Sequence, residues 1–290
     1  MHLKFTIKKV IKQNTMVWLG VFGLSLGIAI SLLMFAYVYF ELSYDRHIEN
    51  YDRIYRIISK VSNGEYRART FNCFQEGLSM HLPQVELVTS FTRFESANIV
   101  VDNESYEIKD IILADTCFID MFSIDVLSGN SKDLGLPNTI FITENEADKR
   151  FHGTNPIGKC IFIKSISGQA NRDSLGEYTI RGIVKPAPPN THFTFDYLIS
   201  IKGNQEYFFN YTKQLKIFGW YVYIKLFKNS QQEYVEGQLN HIASAYLEHS
   251  FGPPVNAFSH KLQPLKEIYL TPGLAFEPGR TNNKLKICLF

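Results

Sequence analysis

The chain has 290 residues, 45% of them hydrophobic, 14% aromatic and only 20% charged, with 30 basic against 28 acidic side chains. This apolar content excludes a disordered chain, and a net charge of +2 excludes the strong positive field of a basic nucleic-acid binder. The charged fraction falls below the roughly 25% of ordinary soluble domains, so some segment of the chain dilutes it.

The dilution lies at the start. Residues 13–40 contain no Asp, Glu, Lys or Arg. Within them Met16–Phe40 is almost wholly apolar, and about 20 such residues at ~1.5 Å rise each cross a hydrocarbon core of roughly 30 Å. Trp18 near one end and Tyr37 and Tyr39 near the other match an interfacial aromatic belt. A cleaved signal peptide would have a shorter apolar core, about 7–15 residues, and then a small-residue cleavage site, whereas the exit here reads YFELSYD. Residues 15–40 are therefore predicted to be a retained transmembrane helix. Lys4, Lys8, Lys9 and Lys12 hold the tail 1–14 in the cytoplasm, which exports everything after Phe40. Without those lysines the exported body has 26 basic and 28 acidic residues. Gly23, Gly27 and Ser31 share a helix face at steps of four. That spacing admits a packing partner, although glycine is also common in membrane helices generally.

Beyond the membrane, strand-like periodicity is predicted over 54–61, 86–94, 108–114, 139–143, 160–164, 178–184 and 220–227. The last, WYVYIKLF, has the composition of a largely buried strand. Helices are expected over 71–81, 144–151 and 231–247, the third with Val235, Leu239, Ile242 and Tyr246 on one side. Thr143 is the expected N-cap of the second, with Glu146 completing a capping box. Strands interleaved with few helices predict an α+β body rather than a doubly wound sheet. The loop KPAPPNTHF at 185–193 is a candidate boundary between two lobes.

The search for chemistry-bearing motifs yields no site. Gly153 to Cys160 approaches a phosphate-binding loop, but a thiol replaces the magnesium-holding hydroxyl, and the segment follows a helix and precedes a strand. Gly23-Leu24-Ser25-Leu26-Gly27 matches a serine-hydrolase elbow, yet it lies in the membrane helix, where Ser25 is expected to bond its own backbone. The eight histidines form no zinc spacing, and His241 and His249 would stand about two turns apart and out of line. Carboxylates such as Glu144 and Glu146, or Asp115 and Asp120, pair on paper only. Cys73, Cys117, Cys160 and Cys288 contain no C-x-x-C and are expected as isolated buried thiols. The sequons at Asn103 and Asn210 matter only in a pathway that glycosylates. The absence of a catalytic, cofactor or metal motif favours a binding or force-transmitting role.

The junction ELSYDRHIENYDRIYRI resembles the start of the MacB-like periplasmic core domain of FtsX-type ABC transporter permeases, with Glu41–Asp45 and Asp52–Arg56 in the family's two short motifs. Pro83–Glu86, Ala114–Phe118 with Met121-Phe122, Phe141–Glu144, Phe151–Gly153, Asn155–Lys159, Asn190–Phe193 with Phe195-Asp196, and Trp220–Leu226 are similar to further family segments, in the same order. Pro264-Leu265 and Ile268–Leu270 resemble its final strand. The resemblance implies a two-lobed mixed α/β periplasmic domain over 41–275, with no enzymatic residues and no cofactor of its own, ATP being used by a separate ATPase subunit or domain. It implies as partners that ABC ATPase, further permease helices and a periplasmic or outer-membrane protein, in the inner membrane. Glu41, Tyr44, Asp45, Asp52, Arg53, Tyr55 and Arg56 would form a stalk carrying motion. Residues 276–290 would begin a second membrane segment, which makes the chain an expected front portion of a longer permease. The alternative from another class is a single-pass extracytoplasmic ligand-sensing or interaction module, and a third is an anchored hydrolase.

Overall fold

The computed structural model describes residues 15–72, 74, 77, 78, 82–166, 176–202, 219–251, 258–284 and 287. The tail lysines, Cys73, the sequon at 210–212, Cys288 and the last apolar residues lie outside the described residues. So does much of the expected helix at 71–81, of which Phe74, Gly77 and Leu78 are described and helical. Helix α1 (Thr15–Leu42) is long and apolar enough to cross a membrane and is exposed along nearly its whole length. Ser25 Oγ donates to the Val21 carbonyl at 2.7 Å, and Ser31 Oγ to that of Gly27 at 2.9 Å. Both hydroxyls are thus satisfied inside the helix, as apolar surroundings require.

The body contains strands β1 (Ile54–Val61), β2 (Tyr66–Arg67), β3 (Val85–Val101), β4 (Glu104–Ala114), β5 (Val126–Gly129), β6 (Thr139–Thr143), β7 (Cys160–Ile166), β8 (Gly176–Val184), β9 (Tyr197–Ser200), β10 (Tyr221–Leu226) and β11 (Phe258–Pro264). Helices α2 (Phe118–Met121), α3 (Glu144–Phe151), α4 (Gln232–Phe251) and α5 (Leu265–Ile268) accompany them. The order β11-β1-β10-β3 makes an open antiparallel sheet. From β3 the pairing continues through β4, β9, β6, β8 and β7 and returns to β3, which closes a six-stranded ring. The expected two lobes are this open sheet and this ring, and the 17-residue β3 belongs to both.

Alternation along the strands separates two cores. Ile111, Leu113, Ile140, Ile142, Tyr197 and Ile199 point into one, while Ile112, Ala114, Phe141 and Leu198 point into the other. The first core receives Val235 and Leu239 from α4 and Phe151 from α3. The second receives α2, α5, Phe193 and Phe195, together with Ile48 and Ile54 from the junction below the membrane helix. The β3–β4 hairpin closes on Asp102-Asn103, both at positive φ (49° and 70°), as a two-residue turn matching strand twist demands.

Several expectations change. Pro264 ends β11, since it cannot donate to a ladder, and the following residues form α5 rather than a strand. Thr143 does precede α3, but its hydroxyl makes no cap bond and lies 3.4 Å from Asp196 Oδ1. Glu146 turns instead to Lys149, Arg150 and the Tyr197 hydroxyl, so there is no capping box. Cys160 is exposed and Cys117 only half-buried, so neither is the buried thiol expected. The 185–193 loop is not a boundary between lobes; it folds back onto the residues that leave the membrane helix.

Candidate functional site

The chain leaves α1 through Glu41, Leu42 and Ser43 and enters β1 at Ile54. Glu41 is buried at the base, where its Oε2 accepts from the Tyr269 hydroxyl at 2.6 Å and from Asn282 Nδ2 at 2.7 Å. Burial, then the neighbouring Glu41 carboxylate, pushes the Tyr269 phenol upward, so it stays a donor. Tyr44 stacks face to face on Tyr269, with ring centroids 3.4 Å apart. The end of the membrane helix is thereby fastened to residues 269–282, more than two hundred positions later.

The next turn is tied to the 185–193 loop. Asn190 Nδ2 donates to the Ser43 carbonyl at 3.2 Å and lies 2.9 Å from the Ser43 hydroxyl, and the Asp45 N–H donates to the Asn190 carbonyl at 2.9 Å. Asp45 is fully buried at φ 60°, a left-handed conformation that Asp tolerates better than most residues. Its Oδ1 accepts from the His192 backbone N–H at 3.1 Å and from His192 Nδ1 at 2.8 Å. His192 Nε2 meets the Tyr223 hydroxyl at 2.7 Å. Burial pushes that phenol up, and the Arg56 guanidinium beside it opposes the shift.

Arg56 completes the path. Its guanidinium is fully buried and forks onto Glu277 with two bonds of 2.7 Å, and it also donates to Gln263 Oε1 at 2.7 Å. Buried polar contacts therefore run from Asp45 through His192 to Tyr223, and Tyr223 stands directly across the β1–β10 register from Arg56, which is paired with Glu277; we call this set the relay. It links the membrane exit, the 185–193 loop, β10, β1, β11 and the segment after α5. Gly279 fits against it so closely that a Cβ there would stand 2.1 Å from the His192 carbonyl oxygen. Near the start of β1, Arg53 donates to Glu86 at 2.6 Å and to the Leu226 carbonyl at 2.7 Å, and Lys225 pairs the same carboxylate at 2.7 Å. Lys225 and then Arg53 hold Glu86 below the usual carboxylate range.

The structure thus brings Glu41, Tyr44, Asp45 and Arg56 into one connected assembly and sets Arg53 in a separate ion cluster. Asp52 and Tyr55 lie beside these without joining the relay, and burial with Asp52 raises the Tyr55 phenol. Gly23, Gly27 and Ser31 sit on the exposed helix with open space around both glycines. Sequence reasoning did not find His192, Tyr223, Tyr269, Glu277 or Asn282 as members of the site. The signals were slight: an Asn-Thr-His run in a proline-rich loop, and a tyrosine inside a strand otherwise built of core residues.

A second polar cluster bears on catalysis. Ser59 Oγ lies 3.1 Å from His260 Nδ1 and donates to Thr70 Oγ1 at 2.8 Å. All three residues are buried, and His260 lies under the rings of Phe71 and Phe74. Its Nε2 has no hydrogen-bond partner. Among the described residues none bonds His260 Nε2 to orient the imidazole as a hydrolase requires. Among the described residues no three His, Cys, Asp or Glu side chains could share a metal ion.

A family model for the MacB-like periplasmic core domain matches residues 18–242. The chain belongs to that family. Two solved structures are similar: a permease-protein domain from Porphyromonas gingivalis and the periplasmic region of MacB from Actinobacillus actinomycetemcomitans. The first gives a TM-score of 0.58 at 20% identity over 83% of this chain and 98% of the other. The second gives 0.50 at 13% identity over 77% and 92%. These likenesses show the fold. No curated protein matches the chain. As a MacB-like periplasmic core domain, the body belongs to an ABC transporter permease, a transport component rather than an enzyme, and α1 is its membrane anchor.

Proposed function

We propose that this MacB-like domain receives motion from an ABC ATPase through the membrane and delivers it to a periplasmic substrate or partner. The body stands on the outer face of the inner membrane, with the basic tail in the cytoplasm, and works in efflux or in lipoprotein or partner handling. The ATPase uses the ATP, while further permease helices pack against α1 through Gly23, Gly27 and Ser31. The relay from Asp45 to Glu277, with the Glu41 fastening at its base, carries this reading. A tilt of α1 acts on Glu41 and Asp45 first, and these residues are bonded directly to segments of both lobes. Rigid hydrogen-bonded networks transmit displacement because a buried polar group that loses its partner costs about 1–3 kcal/mol.

The test uses the permease with its ATPase in liposomes. Asp45→Ala and Glu41→Ala should each lower substrate movement per ATP hydrolysed at least fivefold while leaving basal hydrolysis in place. Unchanged coupling in both variants would overturn the reading.

A further inference from the structure

Two recesses meet beside the junction. One, of about 340 Å³, has an apolar floor that includes Ile48, Phe122, Ile124, Phe193 and Phe195. The other, of about 840 Å³, is lined by Glu49, Asp120, Asp125, Val126 and Gly129, with no Lys or Arg in its lining. Ser123, Ile124 and Asp125 belong to both, so the two form one groove, with an apolar floor rimmed by His47 and Lys185 at one end and acidic side chains at the other. Asp125 has an ion pair with Lys185, but at 3.6 Å and exposed on both sides it leaves the carboxylate available. Glu49 and Asp120 make no ion pair among the described residues.

Strand β5 gives the groove a direction. It is the outermost strand of its lobe and, among the described residues, pairs with β8 alone, so its other edge presents unpaired backbone groups. Leu127, in the middle of it, is half exposed. The strand is four residues long with a bulge at Leu127, which limits pairing to a short stretch, but VLSG carries no charge or proline to repel a further strand.

We infer that this groove binds an extended peptide segment that carries basic side chains and an apolar anchor. The backbone adds to the β5 edge, the anchor enters the aromatic-floored recess, and the basic side chains meet Glu49, Asp120 and Asp125. Strand addition supplies affinity that is independent of sequence, and the two recesses supply selectivity for alternate side chains. The inference does not rest on the coupling reading, because the groove lies outside the relay. Glu41→Ala should therefore leave binding intact even where it uncouples transport.

The experiment uses the whole chain in phosphatidylcholine nanodiscs and a fluorescein-labelled heptapeptide of alternating Lys and Leu, read by anisotropy against empty nanodiscs. The expected result is saturable binding that weakens at least tenfold from 50 to 300 mM salt and at least tenfold in the Glu49→Lys/Asp120→Lys variant. Ala187→Trp, which fills the apolar recess, should weaken binding about fivefold. A backbone N-methylated peptide, unable to extend the sheet, should bind at least tenfold more weakly. Equal affinity for the matching Glu/Leu peptide, or for the charge-reversed variant, would overturn the inference. So would the absence of saturable peptide binding at 50 mM salt.

Discussion

Two of the polar clusters buried in the body differ in kind. The junction relay is charged, holds Asp45, Arg56 and Glu277, and joins segments far apart in the chain. The Ser59–Thr70–His260 cluster is small and holds no carboxylate or guanidinium; each cluster leaves one buried atom without a partner, Asp45 Oδ2 in the relay and His260 Nε2 here. Replacing a buried ion pair by apolar side chains is often neutral or stabilising, so the presence of the relay is poorly explained by stability alone. Its position, between a membrane anchor and two lobes, supplies the better reason. The neutral cluster lies away from the membrane exit, between β1, β11 and the rings of Phe71 and Phe74.

That contrast can be broken in four ways. Arg56→Met leaves Glu277 and Gln263 without their buried donor and should cost about 3–5 kcal/mol, read as a lowered urea midpoint at unchanged slope. A smaller loss would mean that the relay is not a connected charged unit.

His260 should make the other cluster acid-sensitive. Burial lowers its pKa to about 4 from an ordinary 6.5. The folded state therefore favours the neutral ring. The stability tied to this group is fully present above about pH 6.5 and is lost as pH falls toward and through 4. The loss should reach on the order of 3 kcal/mol, seen as a falling urea midpoint between pH 7 and 4 that His260→Phe flattens.

Gly279→Ala should drive a methyl group into the His192 carbonyl and cost about 2 kcal/mol. It should also lower transport coupling, a readout that a merely structural glycine would not move. Ser59→Ala sets the lower bound: about 1 kcal/mol or less in thermal unfolding, with coupling unchanged. Loss of coupling there would erase the distinction between the two clusters.

Much of the scaffold was legible in the residues. The β-branched and aromatic runs IYRIISKV and TIFIT bounded β1 and β6 as the structure has them, because each is largely buried and flanked by turns or polar residues. Strands β5, β9 and β11 escaped because they are short or poorly alternating, and their edges are set by partners distant in sequence. Half of the junction was legible too, as the Glu41–Arg56 run. Its counterparts, His192, Tyr223, Tyr269 and Glu277, carry no local pattern, because their selection depends on which strands lie side by side.

The sequence by itself determined the membrane helix, the α+β body and the family, since hydrophobic run length, periodicity and ordered motifs are local properties of the chain. Only the tertiary structure decided that the low charge fraction of this 290-residue chain conceals a buried charged relay. A carboxylate at 45 and a guanidinium at 56 come to flank one buried tyrosine when the 185–193 loop bonds His192 to Asp45 and Tyr223, and β10 sets Tyr223 opposite Arg56. The physical reason is that a buried charge persists only where partners satisfy it, and those partners arrive through folding.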